Sequence, residues 1–289
     1  MRHAAFACAL VLVAGLAVVG VQALTRDLQP ARPITPSADA PGLDANSPGD
    51  EERVMEEGIP APNRRSRSSR RRSYNRYPGP IPTPNEWEPP AGPVRIALQA
   101  GHWKANEAPR ELSGIRDNGT RWGNMLEWEA NLAIAQRAGA LLEELGYEVD
   151  ILPAVVPPRY RAHLFISIHA DGSGDPNASG FRITGPRSDA TGRADGFADL
   201  LRESYGGEAG LARLPTVTHR MENYYAFNFR RYEHALHPMT IGVILETGFL
   251  TSARDRRVIV DDPDRAARGI VEAVKAFPVT PPPRQRPPG

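Results

Sequence analysis

Three short apolar segments of this chain each lead directly into a side chain that can bind a metal or act beside one. They span residues 94–102, 164–169 and 241–246, and they end in histidine, histidine and glutamate, respectively. Buried strands of a parallel sheet are continuous apolar runs of this kind, and they present functional groups in the crevice at their carboxyl ends. Two imidazoles and a carboxylate at one sheet edge predict a catalytic zinc site.

Strand and helix patterns alternate around these segments. The first segment is followed by a predicted helix, residues 125–145, whose apolar positions recur at steps of three and four. The remaining predicted elements are strands at 147–152 and 180–184, a helix at 190–205, and a last helix beginning at Asp262-Pro263. This alternation predicts an α/β fold, a three-layer αβα sandwich around a central, mostly parallel twisted sheet, with the site at the carboxyl ends of the strands.

The two ends of the chain differ in composition from the segment between them. Residues 1–24 contain an apolar stretch after a short basic start, which predicts a signal peptide or a signal anchor. Residues 25–92, rich in Pro, Ser and Arg, predict a disordered linker, and residues 279–289 predict a disordered Pro-rich tail. One folded catalytic domain, residues 93–278, remains between them, and the export segment places it outside the cytoplasm.

Charge and cysteine content restrict the partners and the metal ligands. The formal net charge is +1, but residues 64–76 form a local basic cluster. Behind an export signal, this cluster favours a solvated spacer or attachment to anionic lipids or wall polymers. We expect no nucleic-acid partner, a monomer, and possible membrane attachment through residues 4–24. The only cysteine, Cys8, lies in the export segment, so a metal in the domain must have nitrogen and oxygen ligands.

A catalytic zinc site needs a third protein ligand besides the two histidines. The start of the predicted helix offers two carboxylates, Glu127 and Glu129. Asn124 and Glu127 have capping-box spacing, so Glu127 could equally serve as a helix cap. The residues alone leave Glu127 and Glu129 both open. They also leave Glu246 open, as a general base beside the metal or as a structural carboxylate.

Four patches together resemble a known family. They are Gly101-His102, the helix start Glu127–Ala135, the strand end Ile166–Asp171, and Leu245–Thr251. In this combination the chain resembles the zinc-dependent N-acetylmuramoyl-L-alanine amidases of the bacterial cell wall, over roughly residues 94–277. Immediately before the first patch, Gln99-Ala100 stands where the family often has Asp-Pro.

The resemblance implies a site and a substrate. It implies that His102, Glu127 and His169 hold Zn²⁺, that Glu246 is the catalytic glutamate, and that the substrate is peptidoglycan, cut between the lactyl group of N-acetylmuramic acid and L-alanine. Two alternatives remain: another zinc peptidase that acts on stem peptides, and a catalytically silent wall-binding module. The aromatic and polar stretch 221–229 is a candidate substrate wall. The other four histidines of the domain are expected at the surface or in structural roles; these are His163, His219, His234 and His237.

Overall fold

A central five-stranded sheet organises the structure, a computed structural model that describes residues 77–175 and 177–280. The described residues form seven strands, of which two make a separate small hairpin. They are β1 (Arg95–Ala100), β2 (Arg121–Trp122), β3 (Met125–Leu126), β4 (Glu148–Leu152), β5 (Leu164–Asp171), β6 (Arg182–Thr184) and β7 (Ile241–Phe249). The large sheet has the order β4-β1-β5-β7-β6, and every neighbouring pair is parallel except β6 with β7. The predicted mostly parallel sheet is confirmed.

Five α-helices flank the sheet in the described residues. They are α1 (Glu127–Glu144), α2 (Ala194–Ala209), α3 (His219–Glu222), α4 (Ala253–Ile259) and α5 (Pro263–Ala276). The three long helices cover one face, on which alternate strand residues such as Leu98, Ile166 and Val243 are buried against them. The opposite alternate residues, among them Phe165 and Ile244, pack under α3 and short 3₁₀ turns. The predicted three layers therefore exist, but the outer layer on this second face consists of a short helix and 3₁₀ turns instead of long helices.

Helix α1 follows its predicted span closely and ends in the predicted way. Gly146 adopts a left-handed φ of 88°, and the amides of Gly146 and Tyr147 donate to the carbonyls of Glu143 and Leu142. This is the Schellman arrangement, which satisfies the last carbonyls of a helix. Leu145, the last residue of the predicted span, follows the end of the helix and is 51% exposed instead of lying on the apolar face.

The folded domain begins earlier than residue 93. Trp87 is only 6% exposed within the main core, and its indole N–H donates to the Met239 carbonyl at 2.9 Å. The guanidinium of Arg193 lies 4.5 Å from the centre of the Trp87 ring and donates to the Val279 carbonyl. The predicted linker, residues 25–92, was therefore wrong at its carboxyl end, where an aromatic side chain completes the core.

Several predictions concern parts of the chain outside the described residues. The export segment 1–24, the basic cluster 64–76 and most of the tail 279–289 lie there. Within residues 77–175 and 177–280, no helix has the length and apolar character needed to cross a membrane.

Candidate metal centre and active site

The turn after β1 places the first histidine. His102 has a left-handed φ of 62°, which is uncommon for a residue with a side chain. The residue before it must be glycine, because a Cβ at Gly101 would lie 2.4 Å from the His169 ring. The missing side chain at Gly101 thus lets the His169 ring lie directly against the backbone that carries His102.

A small hairpin places the carboxylate. Strands β2 and β3 pair just before α1, and the amide of Glu127 donates to the Thr120 carbonyl at 2.8 Å. In return, Oε2 of Glu127 accepts a hydrogen bond from the Thr120 amide, also at 2.8 Å. This reciprocal pairing turns the Glu127 side chain inward from the first residue of the helix, where it is only 3% exposed.

The predicted side chains His102, Glu127 and His169 lie together. One ligand atom from each falls within 4.8 Å of the other two. Nε2 of His102 is 3.6 Å from Oε2 of Glu127, and Nδ1 of His169 is 3.1 Å from Oε1 of Glu127. Two imidazoles therefore bracket one carboxylate, each facing a different oxygen.

The two candidate glutamates of α1 have different roles in the structure. Glu129 is the capping residue, because its Oε2 accepts the amide hydrogen of Leu126 at 2.8 Å. The capping-box pairing of Asn124 with Glu127 was wrong, since the helix begins two residues later than that pairing requires. Glu127 instead faces the histidines, and it also accepts from the Ala170 amide at 3.1 Å. The sequence could not separate Glu127 from Glu129 because the choice depends on where the helix begins, and a shift of two residues exchanges their positions in the first turn.

Asp117 is a site residue that the sequence did not indicate. Its Oδ1 lies 2.7 Å from Nδ1 of His102, and the Asp117 side chain is partly exposed in an irregular loop. Burial acts to lower the pKa of His102, but the Asp117 and Glu127 carboxylates outweigh it and raise that pKa to about 9. Asp117 thereby fixes Nδ1 of His102 as a donor and leaves Nε2 facing Glu127.

The protonation states of the other two residues suit a metal. Burial acts to raise the pKa of Glu127, yet the close contact with His169, the charge of His102 and the Ala170 amide lower it overall. Burial is also the main cause that lowers the pKa of His169, and it outweighs the carboxylate beside the ring. An ionised Glu127 beside a neutral His169 is the state in which such residues bind metal ions.

Glu246 lies next to His169 on the same face of the sheet. The two residues are register partners on β5 and β7, and the strand continues past Glu246 to Phe249, so the predicted strand end was three residues early. Burial, with the charges of Asp171 and Glu127, raises the pKa of Glu246 well above its usual range. Arg182, its register partner on β6, opposes this shift and pairs with Asp171 at 3.0 Å.

The aromatic stretch 221–229 borders the same site. The hydroxyl of Tyr224 lies 3.4 Å from Nε2 of His169, and the two rings meet edge to face at 5.6 Å between centroids. A groove of about 130 Å³ is lined by Tyr224, Arg187 and Arg230 among other residues. The stretch thus reaches the candidate metal ligands directly, although half of it is core: Tyr225 and Phe227 are buried.

The remaining histidines stand apart from the site, as expected. His163 accepts the Arg95 amide hydrogen at 3.0 Å, and His237 accepts that of Met239 at 3.1 Å. His234 contacts the Glu111 carboxylate, while His219 is exposed in α3.

Solved structures with detectable similarity include several amidases. Among them are the amidase AmiC2 of Nostoc punctiforme (19% identity, TM-score 0.48, 64% of this chain and 97% of that one) and Ami1 from Mycobacterium smegmatis (19%, 0.46, 63% and 95%). The catalytic domain of CwlV from Bacillus (Paenibacillus) polymyxa also matches (19%, 0.41, 63% and 96%). No curated protein matches the chain.

The fold and the clustered polar groups define an α/β enzyme domain, and a family comparison specifies its type. Residues 156–276 match the family Amidase_3, described as N-acetylmuramoyl-L-alanine amidase. This segment is similar to that family, and the protein is an enzyme, as the sequence predicted. The matched segment contains His169 and Glu246, whereas His102 and Glu127 precede it.

Proposed function

We propose that this protein is a zinc-dependent hydrolase that acts outside the cytoplasm on peptidoglycan. The bond cut is the amide between the lactyl group of N-acetylmuramic acid and L-alanine of the stem peptide. One observation carries the proposal: His102, Glu127 and His169 converge within 4.8 Å, directly beside Glu246. The family description of residues 156–276 supports the substrate.

The donor set suits zinc. Two imidazole nitrogens and one carboxylate oxygen are the protein ligands of many catalytic zinc sites, which keep one position open. The 3.1 Å between Nδ1 of His169 and Oε1 of Glu127 suits two donors that share one ion with bonds of about 2.0–2.2 Å. Two of the three ligands also have outer partners: Asp117 holds His102, and the Thr120 and Ala170 amides hold Glu127.

Glu246 supplies the acid–base chemistry. A zinc ion held by the three ligands would polarise the scissile carbonyl and activate water for attack. Glu246 takes the proton released by the attacking water and returns it to the leaving nitrogen of L-alanine. Its raised pKa makes Glu246 a stronger base than an ordinary carboxylate, which favours the first of these steps.

The groove beside Tyr224 offers a place for the stem peptide. Tyr224, whose hydroxyl lies 3.4 Å from Nε2 of His169, lines the groove together with Arg187 and Arg230. Stem peptides carry free carboxylates, and arginine side chains pair with carboxylates through two parallel hydrogen bonds. The groove therefore favours a peptide substrate whose scissile amide lies at the metal end.

Digestion of purified peptidoglycan with the full chain tests this function. We expect release of intact stem peptides with L-alanine at a new amino terminus, loss of release after chelation, and recovery with added zinc. The matched control is Glu246→Gln, which keeps the ligands and should release about 10²–10⁴-fold less. New amino termini inside the stem would indicate a peptidase instead, and zinc binding without any release would indicate a silent wall-binding module.

A further inference from the structure

Gln99 lies beneath the site with only one possible amide orientation. The residue is fully buried in β1, and its Nε2 lies 2.9 Å from the Ala154 carbonyl oxygen and 2.9 Å from the Tyr225 hydroxyl. A carbonyl oxygen only accepts hydrogen bonds, so the NH₂ group of Gln99 must face Ala154. Oε1 of Gln99 therefore faces the opposite side, toward the metal centre.

This orientation fixes the direction of the next hydrogen bonds. Oε1 of Gln99 lies 2.8 Å from Oγ of Ser167 and 2.8 Å from the hydroxyl of Tyr224. Because Oε1 carries no hydrogen, both hydroxyl groups donate to it. A phenol has a single hydrogen, so the Tyr224 oxygen can only accept from any further partner.

The further partner is His169. Its Nε2 lies 3.4 Å from the Tyr224 oxygen, so a hydrogen bond between them requires Nε2 to carry the hydrogen. In the neutral imidazole, Nδ1 then has a free lone pair, and Nδ1 is 3.1 Å from Oε1 of Glu127. A lone pair facing a carboxylate oxygen is repelled unless a cation binds both.

We propose that Gln99 and Tyr224 are positioning residues that fix the tautomer of His169, so that its Nδ1 faces the metal. This inference rests on the proposed function, since it describes how zinc is held. His102 uses the other nitrogen: its Nδ1 donates to Asp117, which leaves Nε2 for the ion. The two histidines thus bind through different ring atoms, each determined by the partner on the far side of the ring.

Adjacent tyrosines provide a matched pair of variants for the test. Tyr224→Phe removes the acceptor for His169, while Tyr225→Phe removes a hydroxyl that contacts Gln99 but not His169. In Tyr225→Phe the Ala154 carbonyl still fixes Gln99. Zinc affinity of the full chain is measured by competition with a chelator, alongside the melting temperature of each metal-free variant.

We expect Tyr224→Phe to bind zinc about 10–100-fold more weakly, the usual effect of removing an outer partner of a ligand. Tyr225→Phe should lose thermal stability and keep the zinc affinity of the parent. Equal zinc affinities in the parent and Tyr224→Phe would overturn the positioning role alone. A parent protein that does not bind zinc would overturn both this role and the proposed function.

A second measurement does not depend on how the variants fold. Nitrogen-15 NMR of the histidine rings in the zinc-bound parent chain reports which nitrogen carries hydrogen. We expect His169 to be protonated at Nε2 and His102 at Nδ1. A His169 ring protonated at Nδ1, with Nε2 on the metal, would contradict the proposal whatever the affinities show.

Discussion

Exchange of the two glutamates of α1 for glutamine tests the assignment of the metal ligand. Glu129 makes one capping hydrogen bond at an exposed helix end, to the Leu126 amide at 2.8 Å. Glutamine keeps a carbonyl oxygen that accepts this hydrogen, so Glu129→Gln should cost less than about 1 kcal/mol, a shift in melting temperature of less than about 2–4 °C for a domain of this size. Zinc binding should not change, because Glu129 faces away from His102 and His169.

Glu127→Gln should behave differently in both respects. Its two oxygens accept from the Thr120 and Ala170 amides, so an NH₂ group at either position leaves a buried donor facing another donor. That mismatch should cost the metal-free protein about 1–3 kcal/mol. Loss of an ionised ligand should weaken zinc binding by more than the about 10–100-fold typical of an outer partner.

Melting curves with and without zinc separate these effects. At a zinc concentration of about 100 times the dissociation constant, the parent protein gains about 2.7 kcal/mol of stability. Glu129→Gln should keep this gain in full, whereas Glu127→Gln should lose nearly all of it. A full zinc-dependent gain in Glu127→Gln, together with normal metal content, would refute the ligand assignment, as would a metal-depleted Glu129→Gln.

Three further changes follow from the structure. Glu246→Gln should retain zinc and lose hydrolysis by about 10²–10⁴-fold, and turnover close to that of the parent would remove Glu246 from the mechanism. Because the pKa of Glu246 is raised, the folded protein holds the Glu246 proton more tightly than the unfolded chain does, so the stabilising contribution of this proton is complete below the unfolded pKa of about 4.3 and is lost as pH rises through the folded pKa. Over that pH range the metal-free parent protein should lose stability relative to Glu246→Gln. Parallel stability profiles of the two proteins would contradict this. Trp87→Ala should destabilise the domain by about 3–5 kcal/mol, whereas deleting residues 1–76 should leave the melting temperature unchanged. A Trp87→Ala variant as stable as the parent would show that the segment around Trp87 is dispensable for stability. Gly119→Ala should reduce zinc content without altering any ligand, because Gly119 has a φ of 67° and a Cβ there would lie 2.1 Å from Oε2 of Glu127; a fully metal-loaded variant would show that the loop can move aside.

Local sequence patterns were sufficient to predict the main elements of this domain. The apolar runs ending near His102, His169 and Glu246 correspond to β1, β5 and β7, the three adjacent central strands of the sheet. Strands buried on both faces must be apolar throughout, so a polar side chain at the end of such a run stands out. Helix α1 was equally predictable, because its 3.6-residue periodicity and Gly146 are local properties.

Contacts between distant segments were not predictable in this way. Trp87 was assigned to a linker because its neighbours are prolines and polar residues, and only the fold places Met239 and Arg193 beside it. Asp117 lies in an irregular loop, where an exposed aspartate is the ordinary case.

The sequence by itself determined the sheet, the helix that follows its first strand, and the residue types that converge at the sheet edge. Only the tertiary structure decided that Glu129 caps α1 while Glu127 faces the histidines, since the β2–β3 hairpin sets where the helix begins. Tertiary structure also decided the surroundings of His169, because its partner Tyr224 donates to Gln99, which lies 125 residues away in the sequence. Periodicity and spacing report the environment of each segment separately, whereas these hydrogen bonds exist only once the segments have been brought together.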